Sequence, residues 1–130
     1  MSVEENKALI KRYIEAMNGK AKTEAMLSEY VADEGLRRFI GTFEAAFPRY
    51  ELMLEDLIAE GDRVAARLMI RGTHRGEFRG AAPTGREVTF SAIIIYEIKG
   101  GKIAKHWLVS DTLSMAQQVG LVPASAETAG

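Results

Sequence analysis

The last alternating segment of the chain ends on a carboxylate. Ile103, Lys105, Trp107, Val109 and Asp111 share one parity, and Ala104, His106, Leu108 and Ser110 share the other. Residues of one parity lie on one face of a strand. If the Asp111 face lines a cavity, its carboxyl stands among aromatic and apolar groups, desolvation raises its pKa, and it suits general acid/base proton transfer. An aspartate directly before the helical pattern Thr112–Val119 can equally cap that helix and stay charged. The two roles are compatible.

His74 follows Val64, Ala66, Leu68, Ile70 and Gly72 on one face of an earlier alternating run and precedes a glycine-rich loop. An imidazole there could hydrogen-bond a substrate carbonyl or steady an enolate oxygen. A strand-end histidine bonded to backbone is the plainer reading of the residues alone. His106 has the opposite parity to Asp111 and is expected outside the pocket. With only these two histidines, no cysteine and no HxH or HExxH spacing, no metal site is expected.

Six aromatic residues are candidates for substrate binding: Trp107 from the Asp111 face, Tyr96 from the Val88, Phe90, Ala92 and Ile94 face, and Tyr13, Tyr30, Phe39 and Phe43 from helical apolar faces. Packing is the more common explanation for Tyr13 and Tyr30, and the others could fill the core or, for Tyr96 and Trp107, a dimer interface instead. Asp56 or Arg71 beside Asp111 would instead suit hydrolysis or isomerisation. Arg75, Arg79 and Arg86 surround the glycine-rich loop, but Glu77 and Glu87 offset their charge and no GK[ST] ending follows, so a solvated loop is expected rather than a phosphate cradle.

The elements that must position these groups change period midway. Ser2 and Glu5 form a capping-box pattern ahead of Leu9, Ile10, Tyr13, Ile14 and Met17, predicting a helix to about Asn18-Gly19. Thr23 can cap a second helix with Met26, Leu27, Tyr30 and Val31 on its apolar side. Asp33 marks a break, and a third helix carries Leu36, Phe39, Ile40, Phe43 and Phe47 up to Pro48. Period-two alternation then begins at Tyr50 and turns at Glu60-Gly61-Asp62 into the run that reaches His74. Val88–Ile98 reads as a central strand covered on both faces, and Gly100-Gly101 as a tight hairpin into Lys102–Asp111. A short helix over Thr112–Val119 is ended by Gly120 and Pro123. The expected domain spans residues 1–123, followed by a flexible tail over 124–130 with too little apolar surface to order.

Bulk composition narrows the function classes. The 130 residues are 47% hydrophobic, enough for the core of one domain. Seventeen basic and eighteen acidic residues give a net charge of -1, so no nucleic-acid partner is expected. Absence of cysteine removes disulfides, thiolate ligands and a thiol nucleophile. The N-terminus shows no secretory pattern and no apolar run approaches membrane-spanning length, so the protein is expected to be cytoplasmic, with no membrane partner.

Helices first and long strands afterwards form an α+β arrangement whose helices can close over one concave sheet face. Within it, GTHRGEFRGAAPTGREVTF (Gly72 to Phe90), IIIYEIKGGKIAKHW (Ile93 to Trp107), Asp111 and QQVG (Gln117 to Gly120) stand in an order and spacing that resemble the SnoaL-like polyketide cyclase branch of the NTF2-like superfamily. The opening helix ending MNG and the stretch FPRYELMLEDLIAEGDRVAAR extend the resemblance over nearly the whole chain. It implies an NTF2-like cone of N-terminal helices packed on a curved, mostly antiparallel sheet. It also implies a cofactor-independent intramolecular aldol ring closure on a polyketide-derived ester, with an aspartate near the end of the last strand as general acid/base. Asp111 stands at that position, and His74 lies in the matching GTH segment. The family also leads one to expect a histidine in the third helix, where this chain has Arg38-Phe39-Ile40. Its fold hosts non-catalytic members too, so a ligand-binding or assembly module is the alternative to an enzyme. Met53, Ile93 and Ile95 on a strand face would suit a homodimer.

Overall fold

The computed structural model of the chain describes residues 2–121. The segment 124–130, expected to be a flexible tail, lies outside the described residues. Helix α1 (Val3–Met17) begins where the sequence places it: the Ser2 hydroxyl accepts from the Glu5 N–H at 3.1 Å, and Glu5 accepts in return from the Ser2 N–H at 2.9 Å. Thr23 caps α2 (Glu24–Tyr30) through the Met26 N–H. Asp33 does more than break the chain, since its carboxylate caps α3 (Glu34–Ala46) by accepting from the Leu36 N–H at 3.1 Å.

Four antiparallel strands follow in the spatial order of the sequence: β1 (Glu51–Glu60), β2 (Arg63–Thr73), β3 (Glu87–Lys99) and β4 (Lys102–Ser110). Helix α4 (Thr112–Val119) ends at Gly120, whose φ of 86° is the left-handed conformation that glycine adopts without steric cost. One sheet face is buried: Val64, Ala66, Leu68 and Ile70 of β2 pair with Tyr96, Ile94, Ala92 and Phe90 of β3. Helices α1 and α3 supply Leu9, Ile10, Tyr13, Leu36, Ile40 and Phe43 to the same core. No described helix is long and apolar enough to cross a membrane.

Two expectations are corrected here. Strand β3 is covered on one face only: Ile93 and Ile95 are 51% and 37% exposed, because its helices all pack on the other side. Its continuous apolar run therefore does not mark two-sided burial. Strand β4 carries a bulge at Ala104, since Ile98 pairs with Ile103 while Glu97 pairs with Lys105. An extra residue reverses the side-chain parity beyond it. His106, Leu108 and Ser110 accordingly share the inner face with Tyr96, Ile94 and Ala92, whereas Trp107 and Val109 point outward beside Ile95 and Ile93.

Candidate active site

Between the helices and the inner sheet face lies a cavity of about 60 Å³. Its sheet wall includes Leu68 and Ile94, and its helix wall includes Tyr13 and Ile40. Phe78 and Arg79 of the β2–β3 loop close one side, and Ser110 and Thr112 reach it from the β4–α4 junction. This volume accommodates only a few water-sized groups. Of its lining groups, Phe39 is half-exposed and Arg79 is exposed.

The lining is apolar apart from a few oxygens and the Arg79 guanidinium, and three phenols dominate its polar character. Tyr13, Tyr50 and Tyr96 are 1%, 4% and 2% exposed, and all three line the cavity. Tyr13 and Tyr96 meet edge to face at 5.8 Å between centroids. No hydroxyl of the three bonds to another protein group among the described residues. Burial pushes each phenol above its ordinary pKa; neighbouring phenols add to this for Tyr13, and Glu44 with Tyr96 does so for Tyr50. The three groups are thus neutral O–H donors in an apolar enclosure, where a hydrogen bond to a developing oxyanion is strongest. Lys22 holds Tyr50 in place: its buried ammonium donates to the Tyr50 carbonyl at 2.7 Å and stands 3.9 Å from the ring centroid. Burial lowers the Lys22 pKa to about 8 despite the Glu44 carboxylate, which works the other way.

The residues singled out from the sequence fall into two groups. Tyr13, Tyr96, Phe39 and Phe43 line the cavity. Tyr30 packs behind it against the Tyr13 ring at 5.8 Å. Trp107, expected as a cavity wall, lies on the outer face under the Arg63 guanidinium, because the Ala104 bulge turns it away. Asp56 and Arg71 do not reach the cavity either; they pair with Arg67 and Glu51 at 2.8 and 2.7 Å.

His74 is fully buried and does not line the cavity. Its Nδ1 accepts from the Thr84 N–H at 3.2 Å and lies 3.0 Å from the Thr84 hydroxyl, while its ring stacks on Phe47 at 5.3 Å. An accepting Nδ1 assigns the ring proton to Nε2, which is buried without a partner. His74 therefore fastens the two ends of the loop that carries Phe78 and Arg79, rather than facing a ligand. Asp111 is exposed, and its Oδ1 accepts from the Ser114 N–H at 3.0 Å as the N-cap of α4. The apolar surroundings expected to desolvate it are absent, although its neighbours Ser110 and Thr112 both line the cavity.

Sequence reasoning missed a contact between His106 and Asp33, whose Nδ1 and Oδ2 are 2.7 Å apart. Both side chains are mostly buried, at 20% and 17% exposure. Partial burial opposes the charged form of Asp33, but the His106 ring and the Leu36 and Gly35 N–H groups outweigh it and hold the carboxyl below its ordinary range. The sequence marked Asp33 only as a break between helices, and the bulge that turns His106 toward it left no sequence signal.

Comparison with known proteins adds the family. The profile of the SnoaL-like polyketide cyclases matches residues 7–119. The chain belongs to this family. Among solved structures, AclR from Streptomyces galilaeus, provisionally named a hydroxylase, is 27% identical with a TM-score of 0.81, the match covering 98% of this chain and 94% of AclR. TsrD from Streptomyces laurentii is 27% identical with a TM-score of 0.77, over 94% of this chain and 99% of TsrD. IdmH from Streptomyces antibioticus, provisionally named a polyketide cyclase, is 28% identical with a TM-score of 0.73, over 88% of this chain and 98% of IdmH. No curated protein matches. The SnoaL-like, NTF2-like cone thus accounts for the helices and sheet described above. Relatives named for different reactions on one fold leave the reaction to be argued from the site.

Proposed function

We propose that this SnoaL-like chain is a cytoplasmic, cofactor-independent enzyme of the polyketide ester cyclase type, closing a ring by intramolecular aldol addition. The observation that carries this reading is the apolar cavity lined by three neutral phenols that have no hydrogen-bond partner among the described residues. A base removes a proton from the carbon between an ester and a ketone, and the electron pair moves onto the enolate oxygen. The Tyr13, Tyr50 and Tyr96 hydroxyls donate to that oxygen. The enolate carbon then attacks a tethered ketone, a carbon–carbon bond forms, and the new alkoxide takes up a proton.

Asp111 is the base in this reading. Its support is its position between Ser110 and Thr112, both of which line the cavity. His74 contributes by fastening the loop over the cavity. The probe is methyl benzoylacetate, whose α-protons exchange with solvent through the same enolate. The wild-type chain in mildly acidic deuterated water should accelerate that exchange over buffer. Asparagine caps helices as well as aspartate does, so Asp111→Asn should keep the fold and slow exchange on the order of 10²-fold or more. Exchange at the wild-type rate in Asp111→Asn would leave Asp111 as a helix cap alone.

A homodimer is the second part of the reading, favoured by the outer sheet face, where Ile58, Ile93, Trp107 and Val109 are 69%, 51%, 45% and 75% exposed. A second copy presenting the same face covers these side chains in a two-fold contact. Sedimentation should report a dimer for the wild type and a monomer for Ile93→Glu; a monomeric wild type would remove this part.

A further inference from the structure

Among the described residues, Arg79 at the tip of the β2–β3 loop is the one charged side chain that lines the cavity, and no carboxylate lines it. The tip is a tight turn. The Phe78 N–H donates to the Ala81 carbonyl at 3.0 Å, the Ala81 N–H donates back to the Phe78 carbonyl at 2.9 Å, and Arg79 and Gly80 between them have φ of 49° and 82°. Two successive positive φ values belong to turns that favour glycine, asparagine and aspartate, and an arginine, with its Cβ, is strained at the first of them. The backbone therefore gives no reason for arginine here, and the side chain has to supply one. Phe78 anchors the turn: it is 6% exposed, and its ring packs edge to face on Phe43 and Phe47 at 5.9 and 5.5 Å between centroids. The Arg79 Cζ stands 5.1 Å from the centroid of the same ring, so the guanidinium rests on an aromatic that itself lines the cavity. Its donors meet no carboxylate and no other acceptor among the described residues.

We propose that the cavity takes a ligand with a free carboxylate, which the Arg79 guanidinium holds at the rim while the apolar part of the molecule lies against the phenols. A planar guanidinium presents parallel N–H donors that match the two oxygens of a carboxylate, and the Phe78 ring beneath it limits the water competing for that pair. With no acidic side chain in the lining to balance the guanidinium, an acid is favoured over a neutral or cationic ligand of the same shape. This rests on the reading above of the cavity as the ligand site, and it names the substrate class: an ester that carries a second, free acid group. Arg79 sets specificity and takes no part in the proton transfers.

Two probes of one shape separate charge from fit: 4-acetylbenzoate, ionised near neutral pH, and its uncharged amide, 4-acetylbenzamide. The methyl groups of Ile94, a lining residue, report the dissociation constant of each by NMR titration. The wild type should bind the acid about tenfold more tightly than the amide. Asparagine tolerates positive φ, so Arg79→Asn should keep the turn and bring the two constants within about twofold of each other. Arg79→Lys keeps the charge without the planar fork and should fall between the two. Equal affinities in the wild type, or a preference for the acid that survives in Arg79→Asn, would overturn the carboxylate site while leaving the aldol reading in place. Binding of neither probe would overturn the carboxylate site and the cavity's role together. Binding is read without turnover, so a wild type that prefers the acid but does not accelerate exchange of methyl benzoylacetate would support the Arg79 site and overturn the aldol reading alone.

Discussion

Replacing Gly76 with alanine is expected to lower the unfolding free energy by about 3 kcal/mol. A Cβ at this position would lie 2.1 Å from the Ala45 carbonyl oxygen and 3.1 Å from its carbon. Both are backbone atoms at the end of α3, so no side-chain rotation relieves the overlap. The approach is close because the Arg75 and Gly76 N–H groups both donate to the Ala46 carbonyl, at 3.0 and 3.1 Å. Those two bonds fasten the β2–β3 loop to the helix, and that loop brings Phe78 and Arg79 to the cavity. The substitution should therefore loosen the cavity as well as destabilise the fold. Gly41 is the control: it lies within α3, and a Cβ there meets nothing within 4 Å. Gly41→Ala should stabilise the chain by about 0.5–1 kcal/mol through helix propensity. Paired denaturant titrations measure both; equal midpoints for Gly76→Ala and wild type would contradict the packing described.

The second large effect separates stability from chemistry at the phenols. A buried tyrosine replaced by phenylalanine ordinarily loses a hydrogen bond worth about 1 kcal/mol. Tyr13 and Tyr96 make no such bond among the described residues, so Tyr13→Phe and Tyr96→Phe should leave stability unchanged or slightly raised. Exchange of the benzoylacetate α-protons should nevertheless fall on the order of 10²-fold in at least one of the two variants, because the donor is used only when charge develops on the enolate oxygen. A stability loss with no change in rate would assign the hydroxyls to the core instead of the site.

How much of this was readable in advance depended on whether the signal was local. Caps are local, and Ser2 with Glu5, Thr23, and the Gly120 stop placed three helix boundaries from residue types alone. The alternation of β2 was legible for the same reason, since no bulge interrupts its pairing with β3 and Val64 to Ile70 keep one parity throughout. Strand β4 was not legible, because one extra residue at Ala104 exchanges the faces of everything after it, and nothing in IAKHW marks the bulge. This single event turned Trp107 outward and His106 inward. The run FSAIIIYEI in β3 misled for a different reason: apolar residues on both parities state that both faces are apolar, not that this chain covers both. Tyr13 and Tyr96 were identified by residue type and face. That their hydroxyls find no partner among the described residues is a property of the assembled core that no linear pattern encodes.

The alternating burial of β3 supplies the most direct test of where a ligand binds. Ile94 faces the cavity, while its neighbours Ile93 and Ile95 face outward, so methyl groups on adjacent residues report opposite sides of the sheet. With isoleucine methyls labelled, titration with methyl benzoylacetate should shift Ile94, Ile40 and Ile70 by heteronuclear NMR and leave Ile58, Ile93 and Ile95 in place. Saturable shifts confined to the outer isoleucines, or none at all, would contradict the claim that the phenol-lined cavity is the functional site.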